Sequence, residues 1–271
     1  KPEIQEQFGF VEKIPVVAGG SDQAIQALAY DVINSEDCLV TIGSGGQIFM
    51  PLQSAIPDPG LRLHLFCHVW PDTWHYEAAT LSAGLSFRWL RSLVNNRVSY
   101  QELADLASNV KMDATLFFLP YLNGERTPWM DPQVAGAFLG LKLNHQLPHL
   151  ARSVMEGVVF SMVQSMSIIQ ESGLTPRNVI FSGGGSKHPF WAQLLADGLD
   201  MEIMKSNITE ATAKGAAIAA WIGVNNPDIS DIHQQIKTSI RFERNYFPQN
   251  GSISLREKFN RFKEIYPKIQ I

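Results

Sequence analysis

The chain has 271 residues, of which 45% are apolar and 18% charged, and its net charge is −4. That composition fits an ordinary soluble globular protein, and the acidic balance, with no run of Lys and Arg, argues against nucleic acid or an anionic membrane surface as a partner. No apolar run reaches the roughly 18 residues of a membrane helix; Cys38 and Cys67 lie in apolar, strand-like runs without a Cys-x-x-Cys and read as buried free thiols of a reducing, cytoplasmic compartment.

Residues 1–13 are polar and read as a flexible segment or the end of an earlier element. Ile14 to Ala18 reads as a strand running into Gly19-Gly20-Ser21-Asp22-Gln23, and Ala24 to Val32 reads as a helix that Ser21 or Asp22 could cap. Cys38 to Ile42 and Gln47 to Met50 flank Gly43-Ser44-Gly45-Gly46 as a glycine-tipped hairpin. Leu63 to Val69 and Trp74 to Ala79 form a second strand pair around Pro71-Asp72.

Helices follow. Ser82 to Val94 places Leu85, Trp89 and Leu93 on one face, and Tyr100 to Ala107 is a second helix. Leu116 to Tyr121 is apolar and leads into a loop, Asn123 to Pro128, which Glu125 and Arg126 hold. Leu147 to Glu171 is a long helix with Leu150, Val154, Val158, Met162 and Met166 stepping by four, stopped by Gly173. Strand-like Val179-Ile-Phe181 meets Gly183-Gly-Gly185, and Pro189 opens a helix carrying Phe190, Leu194 and Leu195. Strand, glycines and helix start bring bare backbone and free N–H groups close to a nucleotide; a tight turn without a ligand has the same pattern. A strand near Met201 to Met204, a small-residue helix over Thr212 to Ile222 suited to packing on a sheet, a loop-rich stretch over 224–250 and a terminal helix over Leu255 to Ile265 complete the chain. Strands first, then alternating helix and strand, predict an α/β layer architecture.

In this order the motifs resemble the FGGY family of carbohydrate kinases. The resemblance rests on Gly136-Ala-Phe-Leu-Gly-Leu141 with His149-Leu-Ala-Arg-Ser-Val-Met-Glu156, and on Phe118-Leu-Pro-Tyr-Leu-Asn-Gly-Glu-Arg-Thr-Pro128. Phe66-Cys-His68, Leu81-Ser-Ala83, Trp89-Leu-Arg91 and Tyr266-Pro267 lean toward its xylulokinase branch. The resemblance implies an RNase H-like lobe of the actin and hexokinase superfamily, a mixed sheet flanked by helices. It implies that residues 1–33 end an N-terminal sugar-binding lobe, 34–224 form the ATP-binding lobe and 225–271 an extension with a terminal helix. The N-terminal lobe, with its Asp-x-Gly-Thr phosphate loop, is then the missing partner. No Gly-x-x-x-x-Gly-Lys-Ser/Thr occurs, which excludes a P-loop kinase.

The implied activity is phosphorylation of a sugar hydroxyl by ATP with Mg²⁺, D-xylulose to its 5-phosphate. Gluconokinase, glycerol kinase and a non-catalytic actin-like nucleotide-binding module are the rivals, and a homodimer is compatible with the family. Asp22 matches the family's catalytic base, and Gln23 the substrate contact beside it, where xylulokinases more often carry Asn. Gly43, Ser44 and Gly45 match the second phosphate loop, with Ser44 in place of the usual Thr. Gly84 matches a nucleotide-contacting glycine, and Gly184 and Gly185 the adenosine motif. Lys187 and His188 stand where relatives touch purine or ribose; an exposed loop side chain is the plain alternative for each. Arg88 stands where glycerol kinases have Gln and is left unassigned. His64, His68 and His75 have no carboxylate or Cys placed to complete a metal set.

Overall fold

The computed structural model describes residues 2–10, 14–249 and 252–269. A short helix α1 (Pro2–Gln7), with no buried residue, precedes α2 (Asp22–Ala29). Then come β1 (Asp37–Ile42), β2 (Gly46–Leu52), β3 (His64–Cys67) and β4 (Trp74–Thr80). Helices α3 (Gly84–Leu93) and α4 (Tyr100–Ser108) follow, then the strand pair β5 (Phe117–Leu119) and β6 (Ala137–Leu139). The second half runs α5 (Leu147–Glu171), β7 (Asn178–Ser182), α6 (Pro189–Leu199), β8 (Ile203–Ser206), α7 (Ala211–Asn225), α8 (Ile229–Ser239), β9 (Phe242–Tyr246), α9 (Ser252–Phe262) and α10 (Ile265–Ile269).

Seven strands form one mixed sheet in the order β3-β4-β2-β1-β7-β8-β9. β1, β7 and β8 run parallel in its centre, and the pairs on either side are antiparallel. The two-residue period of a strand decides which side chains go where. Cys38, Val40 and Ile42 of β1, with Val179 and Phe181 of β7, pack under α3, α4, α5, α6 and α9. Leu39 and Ile180 point the other way, into a smaller cluster with Ala24, Ala27 and Tyr30. Helix α8 adds Ile232 and Ile236 to that second face, against Leu28 and Ile33. The molecule is therefore a sheet between two helical layers.

The structure departs from the sequence reading at several places. Residues 14–18 form no strand, and Val16 is 96% exposed. An extended segment becomes a strand only beside a hydrogen-bonding neighbour, and none of the described strands lies beside this one. Helix α3 buries Ser86, Phe87 and Leu90, leaving Leu93 exposed, so the step-of-four apolar set is not its core face. Cys67 is exposed because β3 is the edge strand; Cys38 is buried. The small residues of α7 accommodate another helix instead of the sheet: a Cβ on Gly215 would lie 1.8 Å from the Ile25 carbonyl oxygen of α2. The stretch 224–250 holds α8 and β9; α8 is mostly polar and presents only Ile232 and Ile236 to the core.

Candidate nucleotide site

Two glycine turns leave the same edge of the sheet. Strands β1 and β7 are parallel neighbours with Thr41 opposite Ser182, so Gly43 and Gly183 begin their turns side by side. In the first turn the Gly43 N–H donates to the Gly45 carbonyl at 2.9 Å. The carbonyls of Gly43 and Ser44 each accept, at 2.9 Å, from Gly84 and Leu85 at the start of α3. In the second turn a 3-10 segment, Gly184–Lys187, leads into α6 with Pro189 at its first turn.

The glycines divide into two groups. A Cβ on Gly84 would lie 2.3 Å from the Gly43 oxygen, one on Gly45 2.7 Å from the Thr80 oxygen, and one on Gly185 2.8 Å from Ile42. Gly183 has φ of 83° and its Cβ would lie 2.6 Å from the Ile42 oxygen. These four are glycines because the chain packs on itself. Gly43 and Gly184 are different. The nearest atom to a Cβ there would be 3.8 and 3.9 Å away, and neither has the positive φ that favours glycine. Nothing within the chain requires glycine at either place. Both line one cleft of about 480 Å³, a size ordinary for small-molecule sites.

Ile42, Leu85, Phe87, Ala104 and Trp191 give the cleft apolar walls, and Arg88, Tyr100, Gln101 and Lys187 add polar groups. Among the described residues no acceptor meets the N–H of Ser44, Gly45 or Gly184. Apolar walls suit a planar heterocycle, and unpaired backbone N–H groups suit phosphate oxygens. The residues present therefore fit a nucleotide.

Asp22 stands elsewhere on the same edge. Ser21 is the N-cap of α2, its Oγ accepting from the Ala24 N–H at 3.3 Å, while Asp22 is the first helical residue and accepts the Gln23 N–H at 2.9 Å. Helix α2 runs antiparallel to β1. Gln26 meets Thr41 at 3.2 Å near the strand's end, and Asp31, beyond the helix, feels the charge of Asp37 at the strand's start. Asp22 is one turn before Gln26, about 6 Å further along the axis, on the edge from which both glycine turns leave. It lines a separate, mainly apolar groove with Val17, Gly20 and Thr212. Gln23 is buried, and its Oε1 meets no partner among the described residues.

Residues 38–224 match the C-terminal domain of the FGGY family of carbohydrate kinases. The chain belongs to that family. It is 33% identical over 257 residues to a xylulose kinase of Staphylococcus epidermidis, covering 94% of this chain and 51% of that protein. It is 27% identical over 243 residues to a gluconokinase of Bacillus subtilis, covering 85% and 47%. The crystal structure of ligand-bound xylulose kinase from Lactobacillus acidophilus superposes with a TM-score of 0.89 at 25% identity, over 100% of this chain and 55% of that one. The chain thus spans about half the length of the relatives it matches. The lobe has the mixed sheet between helices of actin- and hexokinase-type sugar kinases.

Within this FGGY domain, Gly43, Ser44, Gly84, Gly184, Gly185 and Lys187, all singled out from sequence, come together in the cleft. Gly45 supports the turn from behind, against Thr80. His188 also reaches the cleft, but not as an exposed loop side chain. It is buried, its Nδ1 accepts from the Phe190 N–H at 3.2 Å, and its Nε2 lies 3.1 Å from Asp105 Oδ1. Both nitrogens are thus committed to capping α6 and tying it to α4. Lys187 is exposed. Sequence reasoning missed Tyr100, Gln101 and Trp191. Trp191 stands two residues past Pro189 and could have been found there; the α4 residues carry no local signal. Among the described residues no three His, Cys, Asp or Glu side chains gather as a metal site.

Proposed function

We propose that this chain is the ATP-binding lobe of a two-lobe carbohydrate kinase that phosphorylates a sugar hydroxyl, with D-xylulose as the sugar and its 5-phosphate as the product. In this reading residues 1–33 close the sugar-binding lobe, 34–224 bind the nucleotide and 225–271 cover its back. The observation that carries it is the pair Gly43 and Gly184: two glycines with no packing reason to be glycine, facing one cleft from two turns.

Adenosine lies between the Gly184 turn and Trp191, and the phosphates run toward the Gly43–Gly45 turn, where the N–H groups of Ser44 and Gly45 take the oxygens. Lys187 and Arg88 add positive charge at the mouth. Mg²⁺, held through the phosphates and the partner lobe, would neutralise charge developing on the transferred group. Asp22 accepts the proton of the attacking sugar hydroxyl, and closure of the lobes carries it to the phosphate end while excluding water. A cytoplasmic setting suits the free thiols Cys38 and Cys67.

The sugar follows from the xylulose kinase relatives; the gluconokinase relative makes gluconate the second reading. A panel of xylulose, gluconate and glycerol, offered with MgATP to the two-lobe protein, tests this. Turnover is expected with xylulose above the others, and with none by the 271-residue chain alone. Preference for gluconate would move the assignment, and turnover by the isolated chain would refute the division of labour between lobes.

A further inference from the structure

Strand β3 pairs with β4 only from Trp74 to Glu77, so among the described residues no strand covers the outer edge of β4 beyond that point. The loop after β5 takes the edge instead. Thr127 donates its N–H to the Ala79 carbonyl at 2.9 Å, and its Oγ1 accepts from the Ala79 N–H at 3.3 Å. Two residues on, the acceptor is a side chain: Glu125 Oε1 accepts from the Leu81 N–H at 2.9 Å and from the Arg126 N–H at 2.7 Å. Glu125 is 2% exposed, and its Oε2 meets no partner among the described residues. Burying a carboxylate in this way is costly, and burial pushes its pKa up to about 7 against the pull of the two N–H bonds and the Arg126 charge.

What the carboxylate holds is the support of the first glycine turn. The carbonyl of Thr80, next to Leu81, fills the place a Gly45 side chain would need. Beyond Leu81 the chain continues to Gly84 and Leu85, whose N–H groups hold the Gly43 and Ser44 carbonyls. Leu81 is thus fixed between the floor of the turn and the helix start that grips its rim. We propose that Glu125 is a positioning residue for the Gly43–Gly45 turn, keeping the N–H groups of Ser44 and Gly45 aimed at the phosphates of a bound nucleotide.

This rests on the nucleotide reading above, and the test separates the two. Adenosine and ATP are titrated by NMR into the 271-residue chain and its Glu125→Ala and Glu125→Gln variants, with a thermal melt of each. Loss of the acceptor leaves the Leu81 N–H unpaired, so Glu125→Ala is expected to weaken ATP by about tenfold while adenosine binding holds. Glu125→Gln, which keeps an acceptor oxygen, restores the ATP affinity. Should Glu125→Ala fail to fold, Glu125→Met fills the space without accepting and carries the same comparison. Equal weakening of both ligands, or an unchanged ratio, would overturn the positioning role alone. A wild-type chain that binds neither ligand overturns the nucleotide reading and this role with it.

Discussion

Gly84 touches Gly43 so closely that the same oxygen serves as hydrogen-bond acceptor and steric wall. The Gly84 N–H donates to the Gly43 carbonyl at 2.9 Å, and a Cβ on Gly84 would lie 2.3 Å from that oxygen. Alanine at 84 gains about 0.5–1 kcal/mol of helix preference over glycine. Against this, pushing a methyl into backbone costs about 1–3 kcal/mol and opens the grip of α3 on the turn. The clash outweighs the helix preference. Gly84→Ala is expected to lower the melting temperature and weaken ATP together, as a melt and a titration on the same sample will show.

Gly184 gives the opposite outcome. Its Cβ would meet only the Ile42 oxygen at 3.9 Å, and its backbone opens a right-handed 3-10 segment. Gly184→Val therefore leaves the fold intact, apart from a small cost of the branched side chain, and places two methyls in the cleft. ATP KM in the two-lobe protein is expected to rise about tenfold or more, the weight of one lost close contact, with the sugar KM unchanged. An unchanged ATP KM would make this turn a plain strand-to-helix connection.

The two turns are legible in the sequence because glycine clusters, one between two strand patterns and one between a strand and a helix pattern, are local signals. Helix α5 is legible to its ends for the same reason: its apolar step runs from Leu150 to Met166, and Gly173, at φ of 85°, closes it. What escapes depends on neighbours distant in the chain. Residues 14–18 have strand composition but no described strand to pair with, and α8 is a mostly polar stretch whose Ile229, Ile232 and Ile236 fall at helical spacing, only the last two of them buried. The sequence leaves His188 between a nucleotide contact and an exposed loop side chain, because the partner that holds it, Asp105, is supplied by another helix. Tyr100 and Gln101 join the cleft only once α4 has packed beside α6.

His75 predicts a pH dependence of stability. It is fully buried, stacked on Phe49 with ring centroids 4.0 Å apart, and neither ring nitrogen has a hydrogen-bond partner among the described residues. Glu77 approaches at 4.0 Å, too far for a hydrogen bond, and burial, aided by His68, holds the His75 pKa down to about 3 from 6.5. Between those values the unfolded chain binds a proton that the folded chain refuses, so stability falls as pH drops through that window and is fully present above it. The contribution is about 1.4 kcal/mol per pH unit at most. Urea melts from pH 7 to pH 4 are expected to show a shallower loss for His75→Phe than for wild type. Parallel slopes would show that His75 takes up its proton in the folded state.

Asp22 has two physical readings, and the structure already separates part of them. The cap of α2 is Ser21, so Ser21→Ala is expected to cost about 1 kcal/mol. Asp22 in the first turn still gains from the helix dipole, about 0.3–1 kcal/mol for an exposed carboxylate, and Asp22→Asn gives up that much. Asn keeps an acceptor oxygen for the Gln23 N–H, which Asp22 meets at 2.9 Å, so the helix start is preserved. It cannot take a proton from a hydroxyl. If Asp22 is the base, kcat of the two-lobe protein falls by about 10²–10⁴-fold in Asp22→Asn, the range of a positioned base, and ATP KM stays within a few-fold because Asp22 lies outside the cleft proposed for the nucleotide. A milder loss is expected where the proton moves late in a loose phosphoryl transition state. Steady-state kinetics with saturating sugar, set beside melts of Ser21→Ala and Asp22→Asn, decides between the readings. A near-normal kcat in Asp22→Asn would leave this carboxylate a dipole contact at the head of α2 and place the base in the partner lobe.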